Sequence, residues 1–478
     1  MRGGFRQVLA RVLVTALAAL ALGATPLAAG AQTACAAPVP SDTQPGYTIA
    51  DPWCDVPGGA PFAPLTDPTG APLSEVHAGI DTGAAWRIEV PNHWNGDLVL
   101  HAHGYRGTGT TVWVDNPPLR AHLVQQGFAW AASSYQTNGY DVGQGVLDTH
   151  ALLGLVHRVT GDRPHQVLIT GPSMGGQVTA VAIEHYRRTF AGAMPFCGVL
   201  GDTALFDYYT DANVTAAALT GTPITFPLQP PPDYPQTYEQ QVLGELRQLG
   251  SGFVAGTPPT FTPLGLQWGA AVEQRSGGTR PGFASAFAFW NSFSFPPLTR
   301  IPFLFGLYPG LTGGTIGVAP GNVVDNRHTV YQLDGDPRLS DEERRLNATV
   351  LRVAATAPPS HDLSGIPAVA GDPRIPVLSL HGLGDLFVPF SMEQTYAWRT
   401  LLHGQRGLFV SRAIRSTAHC DFTQAELQRG FDDLVRWVRT GDRPAGDPVL
   451  LRPVVARPTF GCRFTDGAHA NFSAPACP

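Results

Sequence analysis

The stretch Val167-Leu168-Ile169-Thr170-Gly171-Pro172-Ser173-Met174-Gly175-Gly176 decides how the rest of the chain is read. Its apolar, β-branched start reads as a strand, and residues 174–188 carry helical spacing. Gly-x-Ser-x-Gly between a strand and a helix predicts a sharp turn that holds the serine backbone in a strained conformation. The hydroxyl then projects from the end of the sheet. Side chains in place of Gly171 or Gly175 would collide with the neighbouring strand or helix. The helix N-terminus behind Ser173 favours negative charge developing at the turn.

A nucleophilic serine needs a base, and the base needs an orienting carboxylate. The order Ser, then Asp or Glu, then His is the one found with this turn. Asp385 follows an expected strand at 375–381, within His381-Gly382-Leu383-Gly384-Asp385. His419 follows a second expected strand at 408–414, within Ser416-Thr417-Ala418-His419-Cys420-Asp421. Both sit at strand C-terminal ends, where open α/β sheets carry their sites. A single Asp in a Gly-rich turn is ordinarily a turn-former, and a single His is ordinarily structural. Chain order and placement together argue for catalytic roles. Two backbone N–H groups are expected to hold an oxyanion. One is that of Met174. The other is that of Tyr105 in His103-Gly104-Tyr105-Arg106-Gly107, after a strand at 96–102. His101 and His381 are expected to be supporting polar residues. No metal and no cofactor is predicted.

The surrounding chain reads as an α/β fold, with a doubly wound, mostly parallel sheet. Strands are expected at 85–90, 96–102, 128–135, 165–170 and 190–196, with helices at 141–160 and 174–188. The rhythm stops at 200 and resumes at 371. The predicted organisation is a signal peptide at 1–31, an irregular N-terminal leader at 32–84 and a core in two parts, 85–199 and 371–441. A cap fills 200–370, and a Pro-rich tail follows at 442–478. Within the cap, Ser340-Asp341-Glu342-Glu343 predicts a capping box opening a helix to about residue 355. Phe283, Phe287, Phe289, Trp290, Phe293, Phe295, Phe303 and Phe305 form either the cap's own core or an aromatic acyl pocket.

The chain has 478 residues, and all 31 of its basic residues are Arg. The absence of Lys excludes Schiff-base lysines, Ser–Lys dyads and Walker A loops. A net charge of −6 without a basic run points away from nucleic acid. Arg2, Arg6 and Arg11, an apolar run from 12 to about 24, and Ala29-Gly30-Ala31 make the three-part pattern of an export signal. The expected location is therefore secreted or periplasmic, with no integral membrane segment left after cleavage. Six cysteines then predict disulfides, for which 15 pairings exist. The short loops select Cys35–Cys54 and Cys462–Cys477, which leaves Cys197–Cys420.

With His103-Gly104, Gly171-x-Ser173-x-Gly175, His381-Gly382-x-x-Asp385 and His419 in view, the chain resembles the secreted bacterial α/β-hydrolase serine esterases. Lipases, polyester depolymerases and prolyl-oligopeptidase-type peptidases share that superfamily. The resemblance covers about 85–200 and 370–440. It implies an α/β-hydrolase fold and ester hydrolysis through an acyl-enzyme, and it says little about the large inserted cap read above from the break in the strand–helix rhythm. The substrate would be a small-molecule or polymeric ester, with an apolar or aromatic acyl group. An amidase or peptidase would use the same triad, and an inactive binding module is a distant alternative. Cys420 resembles the tannase and feruloyl-esterase group, in which a cysteine also precedes the nucleophile; here Pro172 stands there. His101-x-His103 as a metal pair of a barrel amidohydrolase would lack that class's lysine and leave the serine turn unexplained.

Overall fold

The computed structural model describes residues 34–227, 230–296, 298–307 and 321–478. The expected signal peptide at 1–31 lies outside the described residues. Eight strands form the central sheet: β3 (Ser74–Asp81), β4 (Ala84–Pro91), β5 (Leu98–His101), β7 (Ala129–Ser133), β8 (Val167–Pro172), β9 (Gly192–Phe196), β12 (Val377–Gly382) and β13 (Phe409–Ile414). Their order is β13-β12-β9-β8-β5-β7-β4-β3. The pairs β3–β4 and β4–β7 are antiparallel, and the others are parallel. Two-residue strands make up the remainder. β1 (Val39–Pro40), β2 (Thr48–Ile49) and β6 (Thr111–Val112) form one small sheet, and β10 (Gly250–Ser251) and β11 (Thr260–Phe261) another.

The inner strands are buried almost throughout and mostly apolar because both sheet faces are covered. Side chains alternate between the two faces. Leu98, Leu100 and Ile169 enter the core that also takes up the cap, while Val99 and Leu168 enter the opposite one. Helices α2 (Val142–Thr160) and α3 (Met174–His185) pack on the first face, and α1 (Arg120–Gln125) and α11 (Gln424–Thr440) on the second. Helix α2 starts on the Asp141 side chain and stops at the left-handed Gly161. Helix α11 opens with a capping box between Thr423 and Glu426, directly after the loop carrying His419. This is the α/β-hydrolase fold.

The chain between β9 and β12 is the inserted cap. It holds α4 (Ala204–Thr220), α5 (Tyr234–Leu249), α6 (Pro263–Arg275), α7 (Phe283–Trp290), α8 (Phe303–Gly306) and α9 (Asp341–Thr349). Asp211 ties three of its segments together. Its carboxylate accepts from Arg275 Nε at 2.6 Å and from the Tyr331 hydroxyl at 2.7 Å. After the cap, α10 (Ser391–Leu402) leads into β13.

Two sequence expectations change. The segment 32–84 is not irregular throughout, because it supplies β3, which pairs with β4 over eight residues. Thr82 and Gly83, with φ of 50° and 77°, make the two-residue turn that such a hairpin needs. This edge strand is only half covered, so Val76, Ala78 and Ile80 give weak alternation. Further upstream, the buried Arg87 of β4 donates to the carbonyls of Pro52 and Cys54, anchoring the leader to the sheet. The second change is in α9. Its capping box forms, but the helix ends at Thr349 rather than near 355. Val350 turns to ψ 135°, and the Val353 N–H bonds the Asn326 side chain instead.

Candidate active site

Ser173 sits between β8 and α3 with φ 56° and ψ −125°. A non-glycine residue there carries backbone strain, which the packing around it must hold. That packing explains the glycines. A Cβ on Gly171 would lie 2.3 Å from the Gly175 carbonyl oxygen, and one on Gly175 would lie 2.1 Å from that of Ala102. A Cβ on Gly176 would approach Gly198 Cα to 2.5 Å. The helix thus enters against β5 and β9 with no room for a side chain.

Asp385 is fully buried in the turn after β12. Its Oδ1 accepts from the N–H groups of Phe387 and Val388, at 2.9 and 3.0 Å. Its Oδ2 lies 2.7 Å from His419 Nδ1. That carboxylate fixes the tautomer with the proton on Nδ1, leaving Nε2 as the basic nitrogen. Phe387 stands edge-on to the His419 ring with centroids 4.8 Å apart. Ser173, His419 and Tyr105 line one open cavity of about 400 Å³.

His381 lies beneath the acid turn. Its Nε2 donates to the Val388 carbonyl at 2.7 Å, and its Nδ1 faces Glu393 at 3.3 Å. Burial is the largest single influence and lowers the His381 pKa, but the hydrogen bond and charge of Glu393, the charge of Asp385 and the Val388 carbonyl together leave it raised. Glu393 also accepts from the hydroxyls of Ser379 and Ser411. His381 therefore supports the turn without reaching the cavity.

The loop after β5 presses directly on the serine. A Cβ on Gly104 would lie 3.2 Å from Ser173 Cβ, so only glycine lets this backbone approach without a shift. His103 fixes the loop from behind. Its ring stacks on Tyr135 at 3.7 Å, its Nδ1 lies 2.7 Å from the Gly104 carbonyl, and its Nε2 lies 3.0 Å from that of Ser134. Burial pushes its pKa well down, and that of His101 to about 4. Tyr105 follows at the cavity mouth. Met174 opens α3, where the first N–H groups have no partner within the helix.

Cys420 is bonded to Cys197 at the end of β9, with Cα atoms 5.2 Å apart. Cys35–Cys54 and Cys462–Cys477 are the other two bridges. Sulfur therefore reaches Cys420 from β9, where Pro172 offers none. Cys197, Cys420 and His419 lie close enough to suit a metal ion, but the two sulfurs are spent on each other.

The aromatic cluster does not wall the cavities as a group. Phe283, Phe287, Phe303 and Phe305 are buried in the cap core. Trp290 reaches out of it, and its indole N–H meets the carbonyls of Gly384 and Thr417. A second, smaller cavity opens from Ser173 towards the cap, walled by Tyr140, Leu205, Phe206, Tyr209 and Phe387. Sequence reasoning missed these five. Leu205, Phe206 and Tyr209 lie on the first cap helix, α4, and Tyr140 and Phe387 in loops that follow β7 and β12.

No protein-family model matches the chain. It is 35% identical over 93 residues to an o-phthalyl amidase from Xanthobacter agilis, a match spanning 20% of each chain. Among solved structures, feruloyl esterase B from Aspergillus oryzae aligns with a TM-score of 0.44 at 13% identity, over 86% of each chain. An esterase from Aspergillus oryzae aligns with a TM-score of 0.40 at 12% identity, over 76% of this chain and 78% of that one. An acylaminoacyl peptidase aligns with a TM-score of 0.39 at 11% identity, over 80% of this chain and 44% of that one.

Proposed function

We propose that the protein is a serine hydrolase that cleaves carboxylic esters with Ser173, His419 and Asp385. The observation carrying this reading is the 2.7 Å contact of Asp385 with His419 Nδ1, in a cavity shared with a strained, elbow-borne Ser173. His419 Nε2 accepts the Ser173 proton as Oγ attacks the carbonyl carbon. The N–H groups of Tyr105 and Met174 hold the oxyanion. Collapse breaks the bond to the leaving group, which takes the proton from His419. Water then repeats the sequence on the acyl-enzyme and releases the acid. The substrate is a small-molecule or polymeric ester with an apolar or aromatic acyl group. Three disulfides and the signal-like N-terminus support export.

Amide hydrolysis by the same residues is the second reading, favoured by the similarity to an o-phthalyl amidase. A series of acyl esters set against matched anilides separates the two. A fluorophosphonate probe should label the wild type and not Ser173→Ala, with turnover of the variant down by about 10⁴–10⁶. Equal labelling of both proteins would remove Ser173 from the role.

A further inference from the structure

Two cavities meet at Ser173, and their chemistry differs. The larger holds His419 together with Arg106, Asp115 and Gln424. The smaller, about 70 Å³, has no charged residue among its described lining. Its two inner phenols are already engaged. The Tyr140 hydroxyl donates to Gln177 Oε1 at 2.6 Å, and that of Tyr209 to the Phe387 carbonyl at 2.5 Å. Ring faces, with Leu205 and Phe206, are what remain for a guest. In the larger cavity the Arg106 guanidinium is nearly buried and pairs with Asp115 Oδ2 at 2.5 Å. Asp115 is the accessible member, so that wall offers hydrogen-bond acceptors.

We propose that the acyl group enters the cap-side cavity and the leaving group the His419-side cavity. The enzyme then takes a compact, uncharged acyl group, up to a single aromatic ring, joined to a larger polar alcohol or amine that presents donors. The inference rests on the nucleophile reading above. Its direction comes from proton transfer. When the tetrahedral intermediate collapses, the departing oxygen or nitrogen must take the proton from His419 Nε2, so it lies on the His419 side. His419 lines the larger cavity and not the smaller. The acyl substituent is therefore directed to the other side of Ser173. There, burying a charge without a partner is costly, whereas a flat ring meets aromatic faces.

The test measures kcat/KM on 4-nitrophenyl acetate, benzoate, octanoate and hemisuccinate, and on benzoyl esters of methanol and glucose. Wild type should prefer benzoate and acetate to octanoate and hemisuccinate, and the glucose ester to the methyl ester. Leu205→Trp, which fills the cap-side cavity, should lower the benzoate-to-acetate ratio about tenfold. Phe206→Ala, which enlarges it, should raise the octanoate-to-benzoate ratio by a similar factor. Variants that shift the methanol-to-glucose ratio and leave the acyl series unchanged would reverse the orientation and overturn the proposal. So would a wild type that prefers octanoate or hemisuccinate, a result that does not depend on either variant folding. Fluorophosphonate labelling that survives Ser173→Ala would instead overturn the nucleophile reading, so the two failures are distinct.

Discussion

The indole N–H of Trp290 lies 3.1 Å from the carbonyl oxygen of Thr417, two residues before His419. The same N–H lies 2.9 Å from the carbonyl of Gly384, next to Asp385. One residue of the cap thus clips together the two loops that bring His419 and Asp385 into contact. The cap is part of the site's geometry as well as a cover over it.

Trp290→Phe keeps most of the buried ring and removes the donor. Two buried carbonyls lose that partner, at a cost of about 1–2 kcal/mol. Small displacements between reacting groups cost large factors in rate. The expected result is a kcat about tenfold lower with KM little changed. An unaltered kcat in a variant of normal stability would contradict this role.

Replacing Cys197 and Cys420 together with serine removes a bridge across a sequence separation of 223 residues. Chain entropy alone assigns such a bridge about 5 kcal/mol, and measured losses are commonly about 2–5 kcal/mol. Urea titration of the double variant should show a clearly lower midpoint, and turnover should fall because Cys420 adjoins His419. A midpoint equal to that of wild type would refute the bridge's contribution.

Glu245 of α5 is buried, and neither of its carboxylate oxygens has a hydrogen-bond partner among the described residues. Burial raises its pKa to about 8. The folded state therefore holds a proton that the unfolded chain releases above about 4.3. Stability falls as pH rises from there to about 8, because the folded state binds more protons throughout that window. Glu245→Gln should raise the melting temperature more at pH 8 than at pH 5. Equal shifts at the two values would show that this carboxyl does not titrate in the window.

His469 of the C-terminal tail places Nδ1 3.1 Å from Asp421 and Nε2 3.1 Å from Glu426. Both nitrogens donate only in the imidazolium, and the Glu426 hydrogen bond leads in raising the pKa of His469. A raised folded pKa means that the stabilisation is complete below the ordinary histidine value of about 6.5. It is lost as pH rises through the folded one. Urea midpoints of wild type and His469→Gln should differ at pH 5.5 and converge at pH 9. A difference that persists at pH 9 would assign the effect to packing.

The site was legible where it depends on consecutive residues or on strand ends. Ser173 was readable because the glycines around it leave few alternatives for the backbone. Asp385 and His419 were readable because apolar runs locate the strands and the strands locate the loops. The edge strand β3 was not, since half exposure permits polar residues at most of its positions. Trp290 was grouped with its aromatic neighbours because spacing does not record that its N–H points out of the cap core.

The sequence by itself determined the parallel sheet, the strained turn at Ser173 and the order of the three candidate catalytic residues. Each is written in local patterning: continuous apolar strands, obligatory glycines and short polar loops. Only the tertiary structure decided which side chains surround Ser173. Tyr140, Phe206, Tyr209 and Phe387 come from three separate stretches of chain, and Arg106 meets Asp115 across a loop. A cavity is the space left between packed segments. Its walls depend on how the cap settles against the sheet, which no local period encodes.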